Sequence, residues 1–305
     1  MFILIFEQLL KMFFIMLLAF VCYRIGMVDQ NGNKTVSNLL LSVVNPILII
    51  TVCQTEYNPN LVKGLLISFA AATATHILGI FLSTLLIRAK DGTDYCIDRF
   101  SAMFSNCGFI GIPLIGSVLG DTGVFYLSAY MVMFNLFTWT HGVVLMEKKL
   151  SLRSLREGIF SPMFTATIIA VILFFLRIRI PGVLLDSMNY IADMNTPLAM
   201  MVAGFSVAQA DIRKMCSNLR LYYTSAVKLI IFPLCTILML KAFSLSSEIA
   251  MTILIAAACP AATTGTIMAI RYKQNYTYAS EIFALSTVLS VITIPVLVLA
   301  AEHIL

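Results

Sequence analysis

The sequence predicts an all-α membrane protein of ten transmembrane helices in two inverted five-helix repeats, with helices 4 and 9 broken and crossing. Three observations predict it. Apolar residues make up 60% of the chain and charged residues 11%, against about 45–50% and about 25% in soluble domains. Apolar runs follow one another with only short polar loops between them. Proline-bearing interruptions recur at matched places in the two halves.

The composition settles the solvent. Even a large soluble domain leaves about a quarter of its unfolded surface exposed, so this much hydrocarbon must face lipid. A bilayer core about 30 Å thick takes about 20 apolar residues per helix, so the chain holds roughly ten helices. The expected spans are residues 3–28, 36–54, 61–88, 98–119, 122–146, 160–179, 183–210, 219–241, 247–271 and 276–302. The first contains Glu7 and Lys11 and has no basic region ahead of it. It reads as a retained span and not a cleaved signal peptide. The repeats are residues 1–146 and 160–305, joined by a short cytoplasmic loop, 147–159.

Lysine and arginine placement gives the orientation. Loops after odd-numbered spans hold fourteen: Arg24, Lys34, Arg88, Lys90, Arg99, Lys148, Lys149, Arg153, Arg156, Arg213, Lys214, Arg220, Arg271 and Lys273. Loops after even-numbered spans hold four: Lys63, Arg177, Arg179 and Lys241. Basic loops stay in the cytoplasm, so this is a multi-pass protein of the cell membrane with both termini extracytoplasmic. The same tethering accounts for the net charge of +5, and nucleic acid is not an expected partner.

The repeat is read from its breaks. Span 2 carries Asn45-Pro46 and span 7 carries Thr196-Pro197. Span 4 carries Gly111-Ile112-Pro113 and span 9 carries Cys259-Pro260. The proline intervals are 67 and 63 residues. Five spans is an odd number, so the second copy enters the membrane from the opposite face, an arrangement common in secondary transporters.

The breaks also carry the chemistry. Proline removes a backbone donor and clashes with the preceding turn, and freed backbone groups in hydrocarbon cost several kcal/mol each unless they meet a partner or line a cavity. Gly108, Gly111 and Pro113 in span 4 and Pro260 in span 9 are therefore expected at a central site. Proline suits the first helical turn, so Pro113 and Pro260 are expected to begin new half-helices. Their N-terminal ends favour an anion, with Asn106, Thr263 and Thr264 adding hydrogen-bonding groups. Lys228, mid-way along span 8, costs roughly 2.5–3.5 kcal/mol at that depth and needs a substrate anion, an acidic partner or water. Asp193, His76 and Glu281 are candidates for coupling protons, and Asp193 or Glu281 for pairing with Lys228. The seven cysteines form no C-x-x-C pair and read as apolar filler. No metal or cofactor is expected, and no hydrolase, metalloprotease or phosphate-loop motif is present.

These segments resemble the auxin efflux carrier family, which includes the plant PIN-type carriers and many bacterial permeases. The resemblance rests on Asn106 through Gly111-Ile112-Pro113-Leu114; on Asp193 to Pro197-Leu198-Ala199-Met200 with Gly204; on Lys228 five residues before Pro233; and on Pro260 through Ala279-Ser280-Glu281 and Ser286-Thr287 to Pro295. It implies a scaffold from spans 1, 2, 6 and 7, often homodimeric, and a transport unit from spans 3–5 and 8–10. It implies an organic anion such as malate, malonate or auxin at the crossing of spans 4 and 9. The short loop between spans 5 and 6 looks like the compact bacterial members and argues against auxin itself. Cys107 stands where threonine is common, and Ala261-Ala262 replaces more polar residues. The expected function is alternating-access transport of a small organic anion. The alternatives are a sodium-coupled carrier of a larger amphipathic acid, as in the bile-acid symporters, a membrane sensor that binds without transport, and an intramembrane enzyme.

Overall fold

A computed structural model describes residues 2–305 except 91, 149–155, 157–159, 211–214 and 216. Lys149, Arg153, Arg213 and Lys214, counted above for orientation, lie outside the described residues, as does most of the loop expected at 147–159.

The described residues fall into eleven helices and no strand. They are α1 (Phe2–Arg24), α2 (Gln30–Val52), α3 (Pro59–Leu86), α4 (Tyr95–Met103), α5 (Cys107–Glu147), α6 (Pro162–Leu176), α7 (Gly182–Gln209), α8 (Leu219–Ala242), α9 (Ser247–Ala258), α10 (Thr264–Arg271) and α11 (Tyr276–Ile304). Seven of them, α1, α2, α3, α5, α7, α8 and α11, are long and apolar enough to cross a membrane. The chain is a multi-pass membrane protein. α6 and α9 are shorter apolar helices.

Helix starts follow from side chains that satisfy first-turn amides. Asp29 accepts from Gly32 N at 2.8 Å, Asn58 from Asn60 N at 2.9 Å, Ser161 from Phe164 N at 3.4 Å, Asn218 from Arg220 N at 3.0 Å, and Asn275 from Tyr278 N at 3.1 Å. Pro59 and Pro162 follow two of these caps, where a missing N–H costs nothing. α5 bends at Gly120, whose φ of 64° and ψ of −161° suit only glycine. That bend falls between the spans expected at 98–119 and 122–146.

Three prolines inside helices are accommodated by widened turns. π-turns at Leu40–Val44, Cys107–Gly111 and Val227–Ile231 immediately precede Asn45-Pro46, Ile112-Pro113 and Phe232-Pro233. The residue before each proline donates one position further back than an α-helix allows: Asn45 to Leu40, Ile112 to Cys107, Phe232 to Val227. The wider turn makes room for the ring and lets the helix continue.

The outer faces carry apolar side chains suited to lipid, such as Phe14 (64% exposed) and Leu238 (65%). Inside, α1 lies against the second half of α7 with almost no gap. A Cβ built on Gly204 would stand 2.2 Å from the Met16 carbonyl oxygen and 2.8 Å from Ala19 Cβ. Small residues permit such approach in membrane helices. Gly204→Val is expected to cost about 3 kcal/mol and to lower the thermal unfolding midpoint in detergent. Gly182→Val, with nothing within 4 Å of its Cβ, serves as the control. Equal midpoints for the two variants would contradict this packing.

Candidate functional site

The two interruptions meet. After α4 the chain runs extended, with Phe104 at φ −89° and ψ 124°. After α9 it does the same, with Cys259 at φ −56° and ψ 150°. Asn106 N donates to Pro260 O at 2.8 Å, and Ala262 N donates to Phe104 O at 3.0 Å. Ser105 and Ala261 thus form an isolated antiparallel bridge. Each break satisfies the other's backbone, which is how non-helical chain survives at membrane depth. Ser286 of α11 accepts from Ala261 N at 3.1 Å.

The half-helices do not begin where the prolines led us to expect. α5 begins at Cys107 with Asn106 at its N-cap, and Pro113 lies in its second turn. The π-turn absorbs the Pro113 ring, so the break falls upstream at Phe104–Asn106. α10 begins at Thr264 with Thr263 at its N-cap, and Pro260 lies in the extended segment before it. A proline pushes the preceding residue out of helical geometry, so Pro260 ends α9 and does not start α10.

At both new helix starts the capping side chain is turned elsewhere. Neither Asn106 nor Thr263 makes a side-chain cap. Asn106 Nδ2 and Thr264 Oγ1 are buried without a hydrogen-bond partner. Gly108 and Gly111 let neighbours close in: a Cβ at Gly108 would stand 3.9 Å from Asn45 Nδ2, and one at Gly111 would stand 3.5 Å from Cys259 Sγ.

Two further asparagines face this point. Asn195 Nδ2 donates to Asn45 Oδ1 at 2.7 Å, and Asn45 Nδ2 reaches Gly108 O at 3.5 Å. Asn195 Oδ1 is buried without a partner. An unpaired buried polar atom costs about 1–3 kcal/mol. An orphan donor on Asn106 and an orphan acceptor on Asn195, set around the start of α5, mark a place able to engage a polar ligand. Asn45 was read from sequence only as half of an Asn-Pro break, and Asn195 was not singled out.

Lys228 is fully buried and reaches the crossing. Its ammonium donates to Ser105 Oγ and, at 3.1 Å, to Ala257 O near the C-terminal end of α9. The Phe232 ring centroid lies 4.7 Å away. Ser105 Oγ donates to Ala257 O at 3.0 Å. The negative end of α9, a hydroxyl and an aromatic face surround the charge. Asp193, expected as a candidate partner, is exposed at the end of the first segment of α7 and does not reach the buried ammonium. Glu281 is buried on α11 and is itself engaged.

His76 also stands beside the break at Phe104–Asn106. Its Nδ1 is 2.8 Å from Ala72 O and its ring stacks on Phe137 at 5.1 Å, with Tyr130 at 4.8 Å and Phe104 at 6.3 Å. Its Nε2 is buried without a partner.

Sequence reasoning missed a second polar cluster. Asp98 of α4 is buried and accepts from Arg220 Nε at 2.7 Å, Thr224 Oγ1 at 2.8 Å and Tyr278 OH at 2.7 Å. It ties α4 to α8 and α11.

A family described as membrane transport protein matches residues 4–298. An uncharacterized transporter, YfdV, of Escherichia coli strain K12 is 27% identical over 199 residues, 62% of this chain and 62% of its own. The YfdV of Shigella flexneri matches to the same extent. The chain thus spans less than two thirds of the length of these relatives. An uncharacterized transporter of Methanothermobacter thermautotrophicus is 23% identical over 307 residues, 95% of this chain and 96% of its own.

Proposed function

The chain belongs to the membrane transport protein family, and from that premise we propose that it is a secondary carrier moving a small organic anion by alternating access. The observation that supports this reading most is the crossing of the two interrupted helix pairs. It brings the start of α5 beside Ser105, which the buried Lys228 ammonium meets, and beside the Asn45 amide of α2, itself bonded to Asn195 of α7, with α10 beginning shortly after the Ser105–Ala261 bridge. Helix starts and a cation favour an anion, and the unpaired amides supply directional contacts to a carboxylate.

In the proposed layout α4 with the first part of α5, and α9 with α10, are single broken spans. Ten spans then form two inverted repeats, with both termini outside the cell membrane. Asn45 and Asn195, which meet across α2 and α7, lie just ahead of the matched prolines, Pro46 and Pro197, of the two repeats. α1, α2, α6 and α7 form the scaffold, through which the protein dimerises, and the remaining helices move against it. The crossing travels with the moving unit, so Gly108 at the start of α5 leaves and rejoins Asn45 of the Asn45–Asn195 pair during each cycle. His76, Asp193 and Glu281 are the candidates for coupling to protons.

Counterflow of labelled mono- and dicarboxylates in sealed vesicles tests the reading. At least one carboxylate is expected to exchange without sodium, and Asn106→Ala is expected to slow that exchange at least about tenfold by removing a buried hydrogen-bonding group. A protein that binds carboxylates, as read by thermal shift, yet exchanges none would contradict transport. Exchange that ceases without sodium would favour the cation-coupled class.

A further inference from the structure

A second site lies away from the crossing. The loop after α2 and the loop after α6 enclose a cleft of about 470 Å³, lined among others by Glu56, Tyr57, Leu173, Arg177, Ile178 and Arg179. This volume falls in the range of about 300–1,000 Å³ typical of small-molecule pockets. None of the residues at the crossing lines it.

The two arginines are held in place. Arg177 caps α6 in left-handed conformation, φ 56°, which residues other than glycine or asparagine adopt at a cost. Its guanidinium lies 4.3 Å from the Tyr57 ring centroid, and that ring lies 5.6 Å from Phe174. Arg179 donates to the Gln54 carbonyl, and Ile180 N donates to Gln54 Oε1 at 2.9 Å. Gln54 thereby holds the 177–181 loop at Arg179 and at Ile180, while its own Nε2 is buried without a partner. Arg177 and Arg179 are two of the four basic residues that run against the loop asymmetry. Tethering to the cytoplasm does not account for them.

We propose that this cleft binds a small monocarboxylate with an apolar body. Two guanidinium forks match a carboxylate geometrically. The lining carries two positive charges and the single negative charge of Glu56, so one anionic charge neutralises it and a dianion overfills it. Tyr57, Leu173 and Ile178 supply the apolar wall. The proposal stands apart from the transport reading, since binding here needs no translocation. An anionic lipid headgroup offers the same charge chemistry, and the test separates the two sources.

The full-length protein in phosphatidylcholine nanodiscs is titrated calorimetrically with phenylacetate, in an Asn106→Ala background that weakens the crossing. Saturable binding is expected. Arg177→Gln with Arg179→Gln is expected to weaken it at least about tenfold. Glu56→Gln, which leaves both arginines in place, is expected to tighten it several-fold. Unchanged affinity in the double variant, or unchanged or weaker binding in Glu56→Gln, overturns the proposal. Discs containing phosphatidylglycerol form the second arm. If native mass spectrometry finds that lipid retained by the parent protein, lost in the double variant and not displaced by phenylacetate, the cleft is a lipid site and the proposal fails.

Discussion

Lys228→Met is expected to slow carboxylate counterflow at least about 30-fold while leaving the folded protein intact. Methionine keeps the length and apolar stem of lysine and removes only the ammonium. In the structure that ammonium touches Ser105 Oγ, Ala257 O and the Phe232 ring. Ser105 keeps its own bond to Ala257 at 3.0 Å, so the substitution orphans no donor at the crossing. Replacing a buried charge by an apolar residue of similar volume is often neutral or stabilising. Losing a charge that pairs with the proposed anion is a different matter, at about 2–5 kcal/mol or more. Stability and transport should therefore separate: an unfolding midpoint at or above the parent's, with exchange nearly lost. Lys228→Ala also leaves a cavity and should lose both, at about 2–5 kcal/mol of stability for a truncated long side chain. Parent-like exchange in Lys228→Met would remove the ammonium from the account of substrate binding.

Asp98→Ala is expected to produce the largest loss of stability, about 3–5 kcal/mol. Its carboxylate is 1% exposed and accepts from three side chains on two helices, Arg220 and Thr224 on α8 and Tyr278 on α11. Deleting it strands the Tyr278 hydroxyl and the Thr224 hydroxyl in the interior and leaves Arg220 without its ion pair. Arg220→Ala should cost less. The arginine side chain is 34% exposed, so water screens the pair, and Asp98 keeps two hydrogen bonds. Thermal unfolding in detergent measures the order. A Arg220→Ala loss equal to or larger than that of Asp98→Ala would contradict this apportioning.

The helices were largely legible in the sequence as apolar runs between short polar loops. The caps at Asn58, Ser161, Asn218 and Asn275 and the bend at Gly120, which set where those helices start and turn, emerge only in the structure. The break in span 9 was legible in place, since α9 ends just before Cys259-Pro260, but the break in span 4 was not. Pro113 drew attention to itself, yet a π-turn carries the helix through it. The true break at Phe104–Asn106 contains no proline or glycine and is held by backbone bonds to Pro260 and Ala262, more than 150 residues away in sequence. Pairings over that distance leave no local trace.

The same limit hid the polar clusters. Asp98 reads as an ordinary charge at the edge of a span, and its partners lie 122, 126 and 180 residues further on. Asn45 reads only as half of an Asn-Pro break, and Asn195 passes unmarked ahead of Thr196-Pro197. Their contact across 150 residues appears only when the two breaks are brought together. Lys228 and His76 were visible as polar residues in apolar runs, since composition alone makes them anomalous. What each one touches was not.

The transported anion is proposed to sit at the crossing of residues 104–106 with 259–262. A density map of the full-length protein in lipid nanodiscs, with the most readily exchanged carboxylate at saturating concentration, tests it most directly. Ligand density is expected against Asn106 and the start of α10, within reach of Asn45 or Asn195. Ligand density elsewhere, with Asn106 Nδ2 and Asn195 Oδ1 sealed away from it, would contradict the account.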